Sequence, residues 1–292
     1  MDILVIHLFN ALLYTSVLFL IAGGLSLIYG VMRIVNLAHG NLFAIGAFVT
    51  ASAVGQWFAG STSAWLFLLL PAGAVAAALL GAVLEPTLLR PFYRRPEEYQ
   101  LLVTYGILMI LEDLIRFIWG PYPVTATSLF EKMGSMTVGE WIYPRYNLLV
   151  IAIGGVAAVG LWAFIYKTRF GVLLRATSQD MRRASALGVN VNYVYVLAFT
   201  IGCFMAGLGG AIVVPSQSAV LGMGVDALVL SFIVVVVGGL GSLDGAMVGA
   251  LIVGVLRETA VSVFPELELA VLYLIAAIVL LVRPAGLFGK AT

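Results

Sequence analysis

The sequence predicts an all-α, polytopic integral membrane protein, and three observations lead to this fold class. Only 10% of the 292 residues are charged, whereas soluble domains carry about 25% charged residues. Hydrophobic residues make up 62% of the chain, and the mean hydropathy is +1.11. Long stretches also lack any charge. A chain with so few charges cannot build a water-soluble shell, so we expect most of its surface to face lipid.

Apolar runs divide the chain into about eight hydrophobic segments. A helix needs about 20 apolar residues to cross roughly 30 Å of hydrocarbon. The run 34–84 has 51 residues, which is enough for two crossings with an outer turn at 56–63. The expected segments are 3–32, two within 34–84, 99–119, 146–166, 193–214, 227–256 and 267–282.

Basic residues indicate the orientation, because short loops rich in Lys and Arg stay on the cytoplasmic side. The loop 85–98 holds three arginines, and the segment 167–192 holds five basic residues against one acid. We expect both in the cytoplasm. The stretch 1–10 has no Lys or Arg, so the N-terminus is expected outside, without a cleaved signal peptide. Arg283 and Lys290 favour a cytoplasmic C-terminus.

Eight full crossings would return the C-terminus to the outside, so we expect one segment not to cross. The candidate is 227–256, which is interrupted by glycines and by Asp244. Irregular backbone at membrane depth is tolerated only inside protein or beside water. We interpret this segment as a broken or re-entrant pair of half-helices. The alternative is a cytoplasmic turn between two tilted short helices.

Enzyme signatures are scarce, so we expect the chain not to be an enzyme. It has no G-x-x-x-x-G-K-[ST] phosphate loop. Its two histidines, His7 and His39, are separated by a whole segment, which argues against a zinc site or a His-based triad. We predict no catalytic residue, no metal site and no cofactor bound by this chain. A net charge of only +1 argues against nucleic acid as a partner.

The segment 167–192 is the most informative polar stretch. Ser178 is placed to N-cap a short helix, with Asp180 in its first turn and Gly188 at its end. An apolar stripe of Met181, Ala184 and Leu187 recurs at three-residue spacing. Such a helix suits either a groove on a cytoplasmic partner or the surface of anionic lipid, and its residues leave both open.

Three motifs resemble the LivH-type permeases of branched-chain amino acid ABC importers. The first is GLSLIYGVMRIVNLAHGNLFAIGAF at 24–48. The second is G-x-x-x-R-A-T-S-Q-D from Gly171, followed by ASALGVNVN at 184–192. The third is VVGGLGSLDGAMVGA at 236–250. Together they follow the order of that family along nearly the whole chain.

The resemblance implies a single permease domain over 1–292, with a cytoplasmic coupling segment at 167–192 and an external loop at 120–145. It implies the bacterial inner membrane as location, and four kinds of partner besides the lipid bilayer. These are a LivM-type permease, two cytoplasmic ATPases that use ATP and Mg²⁺, and a periplasmic solute-binding protein. The residues expected to couple to the ATPases are Gly171, Arg175, Gln179, Asp180, Arg182, Arg183, Ala184, Leu187 and Gly188.

Polar residues inside apolar runs are candidates for the translocation pathway, because polar groups at membrane depth often line one. The alternatives are structural: His39 bonds a backbone carbonyl and helps two helices pack, and Asp244 caps a half-helix. Glu112, Asp113 and Arg116 form either an interfacial ion pair or a contact for the binding protein. The pathway candidates are Asn36, His39, Gly40, Asn41, Gly239, Gly241 and Asp244.

The solute is open at this level, because related systems carry urea, other amino acids or small carboxylates. A rival function is an autonomous secondary transporter driven by an ion gradient. That function needs carboxylates embedded in the membrane, and Asp226 and Asp244 are the only acids between Asp180 and Glu258.

Overall fold

A computed structural model describes residues 2–58, 64–93, 95–263 and 265–289, and it is predominantly α-helical. Short π-helical or 3-10 turns extend several helices, namely Ala53–Trp57, Ala64–Leu69, Glu85–Leu89, Arg90–Phe92 and Pro265–Leu267. The α-helices are α1 (Asp2–Met32), α2 (His39–Ser52), α3 (Leu70–Leu84), α4 (Glu97–Trp119), α5 (Thr127–Met133), α6 (Arg145–Lys167), α7 (Arg169–Gln179), α8 (Met181–Ala186), α9 (Val191–Val213), α10 (Met223–Gly238), α11 (Leu243–Val263) and α12 (Glu268–Val282).

Six helices of the described residues are long and apolar enough to cross a bilayer. They confirm a polytopic helical membrane protein, but this criterion does not support the count of eight segments. The helices α2 and α10 are short, with 14 and 16 residues, and α4 carries five charged residues. The six are Ile3–Met32, Trp65–Phe92, Arg145–Lys167, Val191–Val213, Leu243–Val263 and Pro265–Val282.

The long helices run alternately between two ends of the molecule. At one end, which we call the basic end, Gly30 of α1 touches Gly241, and the ring of Tyr93 packs on Tyr195 at a centroid distance of 5.3 Å. At the opposite end, His7 of α1 bonds Glu258 of α11. The start of α1 and the segment after α12 therefore lie at opposite ends.

The external loop predicted at 120–145 contains regular structure. It holds α5 and an antiparallel hairpin of β1 (Ser135–Val138) and β2 (Trp141–Pro144), in which Met136 pairs with Tyr143. A bridge from Val124 to Ala219 ties the loop to the chain beyond α9. This ordered loop lies at the end opposite the basic end.

The centre of the bundle is a close crossing of α2, α3 and α9. Gly46, Gly73 and Gly207 face one another there, and a Cβ on Gly46 would lie 2.1 Å from the Gly207 carbonyl oxygen. Small residues let helix backbones approach closely in membranes, where packing replaces the hydrophobic effect as the driving force. The crossing fixes α2 in the interior, and nearly all of its residues are buried.

The prediction for 227–256 was wrong in its preferred form. The chain forms α10 and then the 21-residue α11, which at about 1.5 Å per residue is long enough to cross the membrane. The turn at 239–242 lies at the basic end, where the Leu287 amide donates to the Val237 carbonyl at 3.0 Å. This is the alternative of a turn between two helices.

Irregular backbone inside the bundle occurs instead at 33–38. The Nε2 atom of His39, at the start of α2, lies 3.0 Å from the carbonyl oxygen of Ile21. Ile21 lies 11 residues before the end of α1, so α2 begins about 16 Å inside that end. The chain therefore turns back into the protein before α2 starts. Residues 33–38 lie inside the bundle, and non-helical backbone at membrane depth requires such surroundings.

Candidate functional site

The predicted coupling segment folds as two short helices at the basic end. Thr168 caps α7 by accepting from the Gly171 amide at 3.0 Å, and Asp180 caps α8 by accepting from the Arg183 amide at 3.0 Å. The N-cap was predicted at Ser178, and this was wrong: Ser178 lies inside α7 and donates to the Arg175 carbonyl at 2.9 Å. Asp180 takes the cap position because the backbone is extended there.

Gly188 ends this unit as predicted. It follows α8 with a φ of +86°, in the left-handed region that glycine enters without steric cost. Its amide donates to the Ser185 carbonyl at 3.0 Å. The chain then enters α9, which begins with Asn190 as its cap residue.

The exposed face of the segment differs from the predicted stripe. Ala184 is only 3% exposed, so it packs inward and does not present itself to a partner. Leu187 is 86% exposed, and Gln179, Arg182 and Arg183 are also exposed. The helix α7 adds apolar residues to this face, which we call the coupling face and define as Val172, Leu173, Ala176, Gln179, Arg182, Arg183 and Leu187.

Two long helices hold the segment directly, and a third is linked to it through one of them. The Arg175 guanidinium donates to the Ile165 carbonyl of α6 and lies 5.4 Å from the centre of the Tyr166 ring. Tyr166 in turn donates to Asp244 of α11 at 2.9 Å. On the other side, the Tyr195 hydroxyl of α9 lies 3.2 Å from the sulfur of Met181. A displacement of α7 and α8 therefore reaches α6 and α9 through direct contacts, and it reaches α11 through Tyr166.

A buried carboxylate beside this segment was missed by the sequence analysis. Glu85 is 0% exposed, pairs with Arg90 at 2.7 Å and accepts from the Tyr93 hydroxyl at 2.5 Å. Burial, and then the hydrogen bond to Glu85, raise the pKa of the Tyr93 hydroxyl. Tyr93 also packs on Tyr195, so this cluster joins the end of the α3 span to the start of α9. In the sequence, the position of Glu85 five residues before Arg90 was the only sign of this pair.

The polar residues predicted to line a pathway are sealed in the protein. Asn36, His39 and Asn41 are at most 1% exposed. The Asn41 side chain donates to the Leu108 carbonyl of α4 at 2.6 Å, and the Asn36 oxygen accepts from the Ala38 amide at 3.1 Å. With the bond from His39 to α1, these contacts join helices and irregular backbone, as the structural alternative expects. One further polar atom of each side chain, Asn36 Nδ2, His39 Nδ1 and Asn41 Oδ1, is buried without a hydrogen-bond partner among the described residues.

The glycines of the predicted pathway serve close backbone approaches. A Cβ on Gly40 would lie 1.9 Å from the Gly224 carbonyl oxygen, so α2 and α10 touch through their backbones. Gly239 and Gly241 form the turn at the basic end with φ values of +108° and +75°. Asp244 lies exposed beside that turn, and the cap of α11 is Ser242, which accepts from the Gly245 amide at 3.0 Å.

The predicted ion pair on α4 does not form. Across the described ranges, no ion pair joins Glu112 or Asp113 to Arg116. The Glu112 carboxylate instead accepts from the Gly222 amide at 2.9 Å, at the start of α10. A carboxylate at a helix N-terminus is favourable, because it meets unpaired amides and the positive end of the helix dipole.

The fold defines a polytopic helical membrane protein, in which the two short helices α7 and α8 form an exposed unit at one end. Residues 7–281 match the family described as the permease component of branched-chain amino acid transport systems. The chain belongs to this family, as the motifs predicted.

Curated relatives support the same assignment. The chain is 28% identical to the high-affinity branched-chain amino acid permease LivH of Escherichia coli, over 97% of this chain and 95% of that protein. It is 26% identical to the permease BraD of Pseudomonas aeruginosa over the same shares. It is also 25% identical to the ribose import permease RbsC of Escherichia coli, over 86% of this chain and 77% of that protein.

Among solved structures, the chain is similar to a chain of PsaBC from Streptococcus pneumoniae in complex with Fab. The identity is 17% and the TM-score 0.50, with 94% of this chain and 90% of that chain covered. At this identity the likeness concerns the fold alone.

Proposed function

We propose that the chain is the transmembrane permease subunit of an ABC importer in the bacterial inner membrane, with its basic end in the cytoplasm. A LivM-type permease would complete the membrane part, two ATPases would bind ATP and Mg²⁺ and supply the energy, and a periplasmic binding protein would deliver the solute. The chain itself would hold no cofactor. The single observation that carries the proposal is the exposed coupling face on α7 and α8. These two helices connect the membrane helices α6 and α9 in a chain that belongs to this family.

The charge distribution supports the orientation. Within the described residues, nine Lys and Arg lie at the basic end, against four in the remainder. Loops rich in Lys and Arg are retained on the cytoplasmic side. The nine are Arg33, Arg90, Arg95, Lys167, Arg169, Arg175, Arg182, Arg183 and Arg283.

The coupling face has the composition of a docking surface for a soluble partner. Exposed apolar residues such as Val172 and Leu187 lie beside exposed Arg182 and Arg183. A short helix with an apolar face suits a groove on a cytoplasmic protein. Because α7 and α8 contact α6 and α9 and are linked to α11 through Tyr166, closure of an ATPase dimer on this face would move those helices and switch access across the membrane.

The test compares Leu187→Glu with Ile142→Glu in the reconstituted importer. Both side chains are exposed, at 86% and 72%, but Ile142 lies on β2 at the opposite end. We expect Leu187→Glu to abolish the ATP hydrolysis that loaded binding protein stimulates, with normal membrane insertion, because a carboxylate would be buried in an apolar groove. Ile142→Glu should retain stimulation. Normal stimulation in Leu187→Glu would refute the coupling role.

Branched-chain amino acids are the proposed solutes, because the relatives that cover 97% of the chain are permeases named for them. The alternative solute is ribose, urea or another small polar molecule. The similarity to a ribose import permease supports this alternative. Binding measurements on the soluble receptor that serves this chain would decide between them. Solute uptake by the purified chain alone, with no ATPase present, would instead establish an autonomous transporter.

A further inference from the structure

The helix α4 carries charged residues where an ordinary membrane helix is apolar. It lies between Tyr99 near the basic end and Trp119 near the opposite end, about 30 Å apart along the helix. Trp and Tyr are enriched at the two membrane interfaces. Asp113 lies six residues before Trp119, which places it about 9 Å inside that boundary. Its side chain is exposed on the surface of this chain.

The charged residues in this part of α4 lie on one side of the helix. At 100° per residue, Tyr105, Glu112, Asp113 and Arg116 fall within an arc of about 100°, and we call these four residues the polar stripe. The exposed Met109 lies within the same arc. The next part of the exposed surface is apolar and consists of Ile110, Leu114 and Phe117. The helix thus presents two different environments at the same depth.

The start of α10 extends the polar stripe. Glu112 accepts from the Gly222 amide at 2.9 Å, which brings the N-terminus of α10 beside α4. One turn further along α10, Asp226 is exposed as well. Asp113, Arg116 and Asp226 are therefore exposed on two helices that meet at the bond between Glu112 and Gly222, and no ion pair within the described part of the chain involves any of them.

Lipid is a poor environment for this surface. Carboxylates inside the membrane are costly and face the bundle interior or a water-filled cavity. A long Arg side chain can reach the interface, but Asp113 is too short to do so.

We propose that the polar stripe, together with Asp226, lines the water-filled solute passage of the assembled importer. This inference rests on the proposed function, since the passage needs a second permease subunit to close it on the other side. The apolar surface of Ile110, Leu114 and Phe117 faces lipid or dry protein.

Cysteine accessibility tests the passage directly. The assembled importer in liposomes, without ATP, is treated with a membrane-impermeant cationic methanethiosulfonate, which modifies thiols exposed to water. The variants are Asp113→Cys and Asp226→Cys, with Leu114→Cys as the control at the same depth, 100° around α4. Cys203 is fully buried, so the unmodified chain supplies the background.

We expect Asp113→Cys and Asp226→Cys to react at least tenfold faster than Leu114→Cys. Equal rates at Asp113 and Leu114, or slow reaction at both acidic positions, would overturn the inference, because the stripe would then face lipid or a dry contact. Tyr105→Cys provides a second position on the stripe if Asp113→Cys fails to assemble. The labelling does not depend on ATP hydrolysis, so its outcome is separate from that of Leu187→Glu.

Discussion

The crossing of α2, α3 and α9 leads to a quantitative prediction for Gly46→Ala. The added Cβ would lie 2.1 Å from the Gly207 carbonyl oxygen and 2.6 Å from the Gly207 Cα. Ordinary contact begins at 3.4 Å, so the two helices must separate by about 1.3 Å. Overpacking of this kind costs about 1–3 kcal/mol, and we expect the upper part of that range because the obstructing atoms belong to a helix backbone.

The matched control is Gly155→Ala on α6, where a Cβ meets nothing within 4 Å. Alanine is favoured over glycine in a helix by about 0.5–1 kcal/mol, so this variant should be neutral or slightly stabilised. The assay is thermal unfolding in detergent followed by tryptophan fluorescence. At about 2–4 °C per kcal/mol, Gly46→Ala should lower Tm by about 6–12 °C. Equal Tm values for the two variants would refute the close-packing argument.

Two further predictions concern buried groups near the coupling segment. Arg90→Met leaves the buried Glu85 carboxylate without its cation, so we expect the free energy of unfolding to fall by about 3–5 kcal/mol. The control Arg95→Met, at an exposed position, should be nearly neutral in the same unfolding assay. A smaller loss for Arg90→Met than for Arg95→Met would contradict the pairing of Arg90 with Glu85. Ala184→Glu should reduce the yield of folded protein on size-exclusion chromatography, because Ala184 is buried. Ala186→Glu, at an exposed position of the same helix, should not reduce it. Equal yields would show that the Ala184 side of α8 does not pack against the protein.

Composition and motifs were sufficient to predict a polytopic helical membrane protein and its family, and the sequence pattern also predicted helical structure within 167–192. The low charge content requires a membrane environment, and the segment 167–192 is the longest stretch with a helical pattern and a strong basic excess. Finer features of this segment were harder to predict. Ser178 and Asp180 are both good cap residues, and only the extended backbone at Asp180 decides between them.

The errors in the sequence analysis concern long-range contacts. Glycines at 238–245 favoured a broken membrane segment, but the same residue type also forms tight turns and close helix contacts. The irregular backbone at 33–38 gave no such signal. One of the two alternatives for Glu112 was an ion pair on its own helix, whereas its carboxylate bonds Gly222, which lies 110 residues away along the chain. The hydrophobic pattern of a sequence does not show which distant backbone group forms a hydrogen bond with a polar side chain.

The sidedness of the two ends tests the proposed function most directly. Leu187→Cys at the basic end and Ile142→Cys at the opposite end are treated with a membrane-impermeant maleimide in right-side-out and inside-out vesicles from cells that lack the partner ATPases, so that the coupling face is uncovered. We expect Leu187→Cys to react only in inside-out vesicles and Ile142→Cys only in right-side-out vesicles. Reaction of Leu187→Cys from the outside would put the coupling face beyond the reach of any cytoplasmic ATPase and would contradict the proposed coupling.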